Sequence, residues 1–145
     1  MFPTVFNLHG VDRIAEWKNF REQLETSLTP FEDVANLWSQ APFVNPYLDP
    51  HRPDSWPDPW RLLIDLKLDS LAISLGMLYT LKLTQRFMRT PIEIHMSMLP
   101  GEKEYRYPVI IDNCHVLNWD YNTVLDLSSM KDLKATLIFS KSGSL

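Results

Sequence analysis

The chain has 145 residues, a length that fits one domain spanning 1–145 and allows a sizeable buried core. Hydrophobic residues make up 45% and charged residues 22%, the balance of an ordinary globular protein. A net charge of −4 argues against a broad nucleic-acid surface, and the single cysteine, Cys114, excludes an internal disulfide and a cysteine-based zinc cluster.

The first helical pattern is VDRIAEWKNFREQLETSL, residues 11–28, with apolar positions at Val11, Ile14, Trp17, Phe20, Leu24 and Leu28. Steps of three and four predict an amphipathic helix. TPFEDVANLWSQ predicts a second one, in which Thr29 and Glu32 form a capping box around Pro30. Together they make a helical pair over 11–40.

Residues 41–60 hold six of the eleven prolines, so they can be neither helix nor central strand. An extended segment is expected, wrapping the surface with Phe43, Tyr47, Trp56 and Trp60 as anchors. The same strip is the candidate surface for a protein partner. Core helices follow over 61–89. Asp58 and Pro59 open a short one, PWRLLIDL, and a longer one runs from about Asp69 to Arg86. LAISLGMLYTLKL is apolar or small on nearly every side, which places it mid-domain.

After Arg89 the period changes to two, and an antiparallel meander is expected over 90–140. PIEIHMSML puts Ile92, Ile94, Met96 and Met98 on one face. YRYPVIID and HVLNWDY are the next strands, joined by a turn at Asn113–Cys114. SSMKDLK predicts a helical turn, ATLIF a last strand, and SKSGSL a loose tail. The class is α+β: N-terminal helices, one of them buried and central, packed on a C-terminal antiparallel β-sheet.

Chemistry is hard to find in this pattern. The four histidines, His9, His51, His95 and His115, lack metal-ligand spacing, and the four glycines do not cluster into a phosphate loop. No metal or cofactor is therefore expected. Cys114–His115 is the tempting nucleophile and base, but neighbours on a strand point to opposite faces. Asp65, Asp69, Asp112, Asp120 and Asp126 fall near helix or strand ends. Lys82, Arg86, Arg89, Lys103 and Arg106 could gather into a small basic patch, although a solvated rim is the simpler role. MFPTVFNLHG has no basic start and no apolar run, and Leu71–Leu83 is too short to span a bilayer. The expectation is a soluble chain with no secretory signal, no membrane span and no nucleic-acid partner.

The order of elements resembles the transglutaminase-like fold, with its papain-like core, and in particular the bacterial transglutaminase-like cysteine proteinases. The resemblance runs from about Phe31 to Asn118 and is most specific at SWPDPWRLLIDLKLDSLAISLGMLYTL, residues 55–81. In that family a Trp-x-x-Pro segment and a short helix precede a Cys-Glu-Asp-Tyr-Ala helix start. A His and an Asp then follow from successive strands. By the resemblance, Asp69, Ala72 and Ile73 match the Asp-Tyr-Ala-Ile part. The nucleophile's place falls near Lys67, within Leu66–Asp69, and Ser70 is the nearest hydroxyl. Tyr105 or Tyr107 stands where the His belongs, and Asn118 where the Asp belongs.

All three catalytic places are thus altered, so the resemblance implies the fold without the activity. The expected function is a non-catalytic structural or protein-binding component. The style of the sequence also resembles small proteins of tailed bacteriophages, which implies a virion or assembly protein, or else a cytoplasmic one. A remnant cleft would be floored by Asp69 and Ser70 and walled by Tyr105, Tyr107 and Asn118. The alternative is a hydrolase, of peptidase or amidase type, using Cys114–His115 or a pair of carboxylates.

Overall fold

Four helices come first and five strands after them among the described residues, as the change of period at Arg89 implies. The computed structural model describes residues 5–43, 48–130 and 133–145. Tyr47, and the Lys131–Asp132 part of the expected helical turn, lie outside the described residues.

Helix α1 is Gly10–Leu24 and buries Arg13, Trp17, Phe20 and Leu24. It stops short of the expected end, leaving Leu28 98% exposed, and Val11 at its start is 83% exposed. A clasp terminates it. The Glu25 carboxylate accepts the backbone N–H of Gln85 at 2.8 Å and of Arg86 at 2.9 Å. In return the Arg86 guanidinium donates to the carbonyls of Leu24 at 2.9 Å and Ser27 at 2.7 Å. Helix α2 is Pro30–Ser39, with Pro30 in its first turn. The capping box does not form: the hydroxyls of Ser27 and Thr29 donate instead to the Asp33 carboxylate, at 2.5 and 3.1 Å.

The segment before the next helix is anchored unevenly. Trp56 is half-buried, donates from Nε1 to the Asp49 carbonyl at 2.8 Å and packs 5.4 Å from Phe139. Trp60 is 45% exposed and meets Trp17 edge-on, while Phe43 is 65% exposed. Helix α3, Pro59–Asp65, begins as expected, with the Asp58 carboxylate accepting from Arg61 N at 2.8 Å. Leu66, at φ 52°, ends it. Helix α4 is Ser70–Lys82, four residues shorter at its C-terminal end than expected. Lys82 is 2% exposed, and its ammonium donates to the carbonyls of Met88 and Thr90. The basic patch therefore does not assemble: Lys82 is buried, Arg86 is in the clasp, and Arg106 sits 3.2 Å from Glu102.

The core is centred on α4. Thr80 Oγ1 accepts from Trp17 Nε1 and from Trp38 Nε1, each at 3.0 Å, and donates to the Gly76 carbonyl at 2.7 Å. Gly76 lets Trp38 lie against the helix: a Cβ there would stand 2.2 Å from the ring. Tyr79, on the same helix, donates to the Pro57 carbonyl at 2.6 Å.

The sheet is antiparallel, in the order β4-β3-β2-β1-β5. Its strands are β1 Ile92–Met96, β2 Val109–Ile111, β3 His115–Leu117, β4 Leu125–Asp126 and β5 Thr136–Lys141. Ile92 and Ile94 join the helical core, with Val109, Ile111 and Leu117 beside them. The expected alternation fails after Ile94, where a bulge shifts the register against β5. Ser97 is buried as a result, and Met98 is 41% exposed. The hairpin connection is three residues, Asp112–Cys114, one longer at its start than expected, with Asp112 and Asn113 both at φ 52°.

Two expectations follow for stability. Thr80→Val would leave two buried indole N–H groups without an acceptor, so urea unfolding should show a loss of about 2–5 kcal/mol, with Thr80→Ser much milder. Burial, reinforced by the charge of Asp58, pushes the Tyr79 phenol up to about 12. The unfolded chain then sheds this proton first, near pH 10, and stability should fall as pH rises from about 10 to 12. Tyr79→Phe should remove at most about 2–3 kcal/mol of that fall in pH-dependent unfolding.

Candidate functional site

The start of α4 is fixed by one carboxylate. Asp69 is 4% exposed; its Oδ1 accepts from Ala72 N at 2.7 Å and its Oδ2 from Leu48 N at 3.0 Å. It thus caps the helix and ties the extended segment to it. Ser70 follows as the first, half-exposed residue of the helix.

Asn118 reaches this helix from the end of β3. It adopts φ 57°, which asparagine tolerates better than most residues, and this conformation ends the strand. Its Nδ2 donates to the Ser70 carbonyl at 3.2 Å and to Ser74 Oγ at 2.6 Å. Ser74 Oγ in turn donates to the Tyr107 carbonyl at 2.5 Å. A short relay therefore joins the end of β3, the first turn of α4 and the residue two before β2. Ser74 was not singled out in the sequence, where it reads as a small residue on a buried helix.

Asp69, Ser70, Tyr105, Tyr107 and Asn118 lie around two clefts, where a single one is expected from the sequence. The first, about 320 Å³, is lined by Phe43, Leu48, Asp69, Ser70, Tyr105 and Tyr107. The second, about 310 Å³, lies between α2 and the 118–123 loop, with Ser39, Asn118, Trp119 and Tyr121 in its wall. Phe43 and Ser70 belong to both. Burial raises the Tyr107 phenol above its ordinary value, and the charge of Asp69 and the neighbouring Tyr105 add to this. Lys67 is exposed in the connection before the helix and lines neither cleft.

The other candidates are dispersed. Cys114 is exposed at the end of the hairpin turn, while the His115 ring packs 4.6 Å from Phe31 on the helical side. Asp65 sits 3.3 Å from Arg61 on α3, and Asp120 3.5 Å from Arg106. Asp112 is in the hairpin turn and Asp126 in β4. His95 Nε2 lies 2.9 Å from Glu93 on the same strand. Among the described residues no group of three or more His, Cys, Asp or Glu side chains could hold a metal ion. No helix among them is long and apolar enough to cross a membrane.

The second cleft was missed in the sequence. Its signal is NWDYN, residues 118–122, where turn-forming residues alternate with aromatics. That stretch reads equally well as the tail of a strand.

No family model and no curated protein matches the chain. Among solved structures it is similar to calcium-bound LapG of Legionella pneumophila, a transglutaminase-like cysteine protease. The TM-score is 0.64 and the identity 16%, over 94% of this chain and 79% of that one. Likeness at this identity speaks for the backbone arrangement alone. The chain has an α+β fold of the transglutaminase-like kind, with its buried central helix packed on the antiparallel sheet.

Proposed function

We propose that the chain is a non-catalytic, protein-binding component built on a transglutaminase-like scaffold. The observation that carries this reading is the polarity of the groups at the start of α4. By the resemblance, the places of the nucleophile, the imidazole and the carboxylate hold Lys67 with Ser70 as the nearest hydroxyl, Tyr105 or Tyr107, and Asn118. The Asn118 amide is engaged as a donor to Ser70 and Ser74. The hydrolase alternative needs Cys114 and His115, or two carboxylates, to meet in one cleft. Cys114 is exposed while the His115 ring packs on Phe31, and Asp65 and Asp120 each lie beside a separate arginine.

The binding surface on this reading is the rim around Ser70, where Phe43 stands between the two clefts. Trp56 and Trp60 pack on the protein's own aromatics and offer a partner less than Phe43 does. The partner is another protein of a larger assembly. A virion setting rests on the style of the sequence.

Replacing Asn118 with Asp puts an acceptor against the Ser70 carbonyl and removes both donated bonds. Unfolding at pH 7 should show a loss of about 1–3 kcal/mol. The loss should shrink at low pH, where a protonated carboxyl can donate again. The interface itself is tested by a tagged pull-down from the native source with stoichiometry from quantitative mass spectrometry. A partner at fixed ratio, lost in a Phe43→Ala variant that melts like the wild type, is the expected result. Recovery unaffected by that substitution, or of the protein alone, would count against the reading.

A further inference from the structure

We propose that the cleft between α2 and the 118–123 loop is a binding site for a neutral saccharide. Its volume of about 310 Å³ is near the lower end of the roughly 300–1,000 Å³ usual for small-ligand sites. The inference stands on this cleft's own lining and does not depend on the protein-partner reading.

The first observation is the placement of the aromatic rings. Tyr121 is 79% exposed, yet its position is set at the tip, where the hydroxyl donates to the Ser39 carbonyl at 3.2 Å. The face of the ring stays open. Phe43, 65% exposed, also borders the cleft. Rings held open in this way suit the C–H-rich face of a pyranose, which is apolar and flat.

The second observation is the bonding capacity left in the wall. Asn118 spends its Nδ2 on α4, and Asn122 spends its Nδ2 on Asn36 Oδ1 at 3.4 Å. Each keeps a side-chain carbonyl oxygen with lone pairs to offer. Asp120 adds acceptor capacity, and Arg106, 3.5 Å away, offsets its charge. No Lys, Arg or His lines the cleft among the described residues, so nothing there recruits an anion. A mostly apolar wall with a few side-chain acceptors and no cation matches a ligand that pairs an apolar ring face with hydroxyl donors.

An extended peptide fits less well. It binds strongly where a sheet edge offers free N–H and C=O groups. Here no described residue of the lining belongs to a strand, so the cleft offers no such edge.

The test is an NMR titration of the amide-labelled chain. The probes are neutral trisaccharides of glucose, N-acetylglucosamine, galactose or mannose, with a neutral tetrapeptide for comparison. A saturable shift centred on Ser39 and residues 118–123, from at least one trisaccharide and not from the peptide, is expected. Tyr121→Ala should weaken it about tenfold, the scale of one lost stacking contact. Tyr121→Phe, which keeps the ring but loses its anchor to Ser39, should weaken binding less than Tyr121→Ala does. Wild-type melting temperatures would verify that both variants fold. No saturable shift from any trisaccharide at tens of millimolar, equal binding of the peptide, or unchanged binding by Tyr121→Ala would each overturn the proposal.

Discussion

A single hydroxyl in the core holds three helices in register. Thr80 Oγ1 accepts two indole N–H groups, one from α1 and one from α2, and donates its own proton back to α4. A tryptophan brings a large apolar area into a core, but it also brings a donor that must be satisfied there. Two of them meeting at one acceptor fix the angular setting of α1 and α2 about α4 more tightly than apolar contact alone would. Gly76, one turn earlier, makes this possible by leaving room for the Trp38 ring. The sheet then packs against the framework through Ile92, Ile94, Val109, Ile111 and Leu117.

Charged side chains hold the ends of the helices in the same spirit. Glu25 and Arg86 exchange bonds between the end of α1 and the loop after α4. Arg13, 6% exposed, donates to the Leu63 carbonyl at 2.7 Å at the end of α3. Lys82 holds the carbonyls of Met88 and Thr90. Each of these cations meets carbonyls that a helix end or loop would otherwise leave unsatisfied. Residues that look in sequence like a positive surface are thereby consumed by the backbone.

Local chemistry was legible where one residue decides the outcome. The cap at Asp58, Pro30 in the first turn of α2, and the apolar span of α4 could each be read from spacing, whereas Asp69 reads only as lying near a helix end. The failures are places where a distant partner intervenes. Leu28 continues the stripe of α1 on paper, yet the Glu25–Arg86 clasp turns the chain away first. Met98 continues the alternation of β1, but pairing with β5 inserts a bulge that a single strand cannot announce. Strand β4 is two residues long and exists because β3 offers an edge to pair with. The expected single cleft became two because Phe43 and Ser70 stand between them, and such a placement depends on how the loop 118–123 returns to α2.

At the end of β3 the polarity of one side chain decides how the helix meets the sheet. A carboxylate at the end of β3 could only accept hydrogen bonds, whereas Asn118 donates two from one nitrogen. Donation reaches a helix carbonyl, which a carboxylate would repel, and so closes the first turn of α4 against the sheet. Ser74 passes the bond on to the Tyr107 carbonyl, so the relay consumes polar groups in holding α4 and the sheet together. The side chains facing outward, Phe43, Tyr105 and Tyr121, stand outside this relay. Their substitution leaves the relay intact, while any change at Ser74 or Asn118 disturbs the scaffold first. Recognition can therefore vary along the rim of the clefts while the elements beneath keep one geometry.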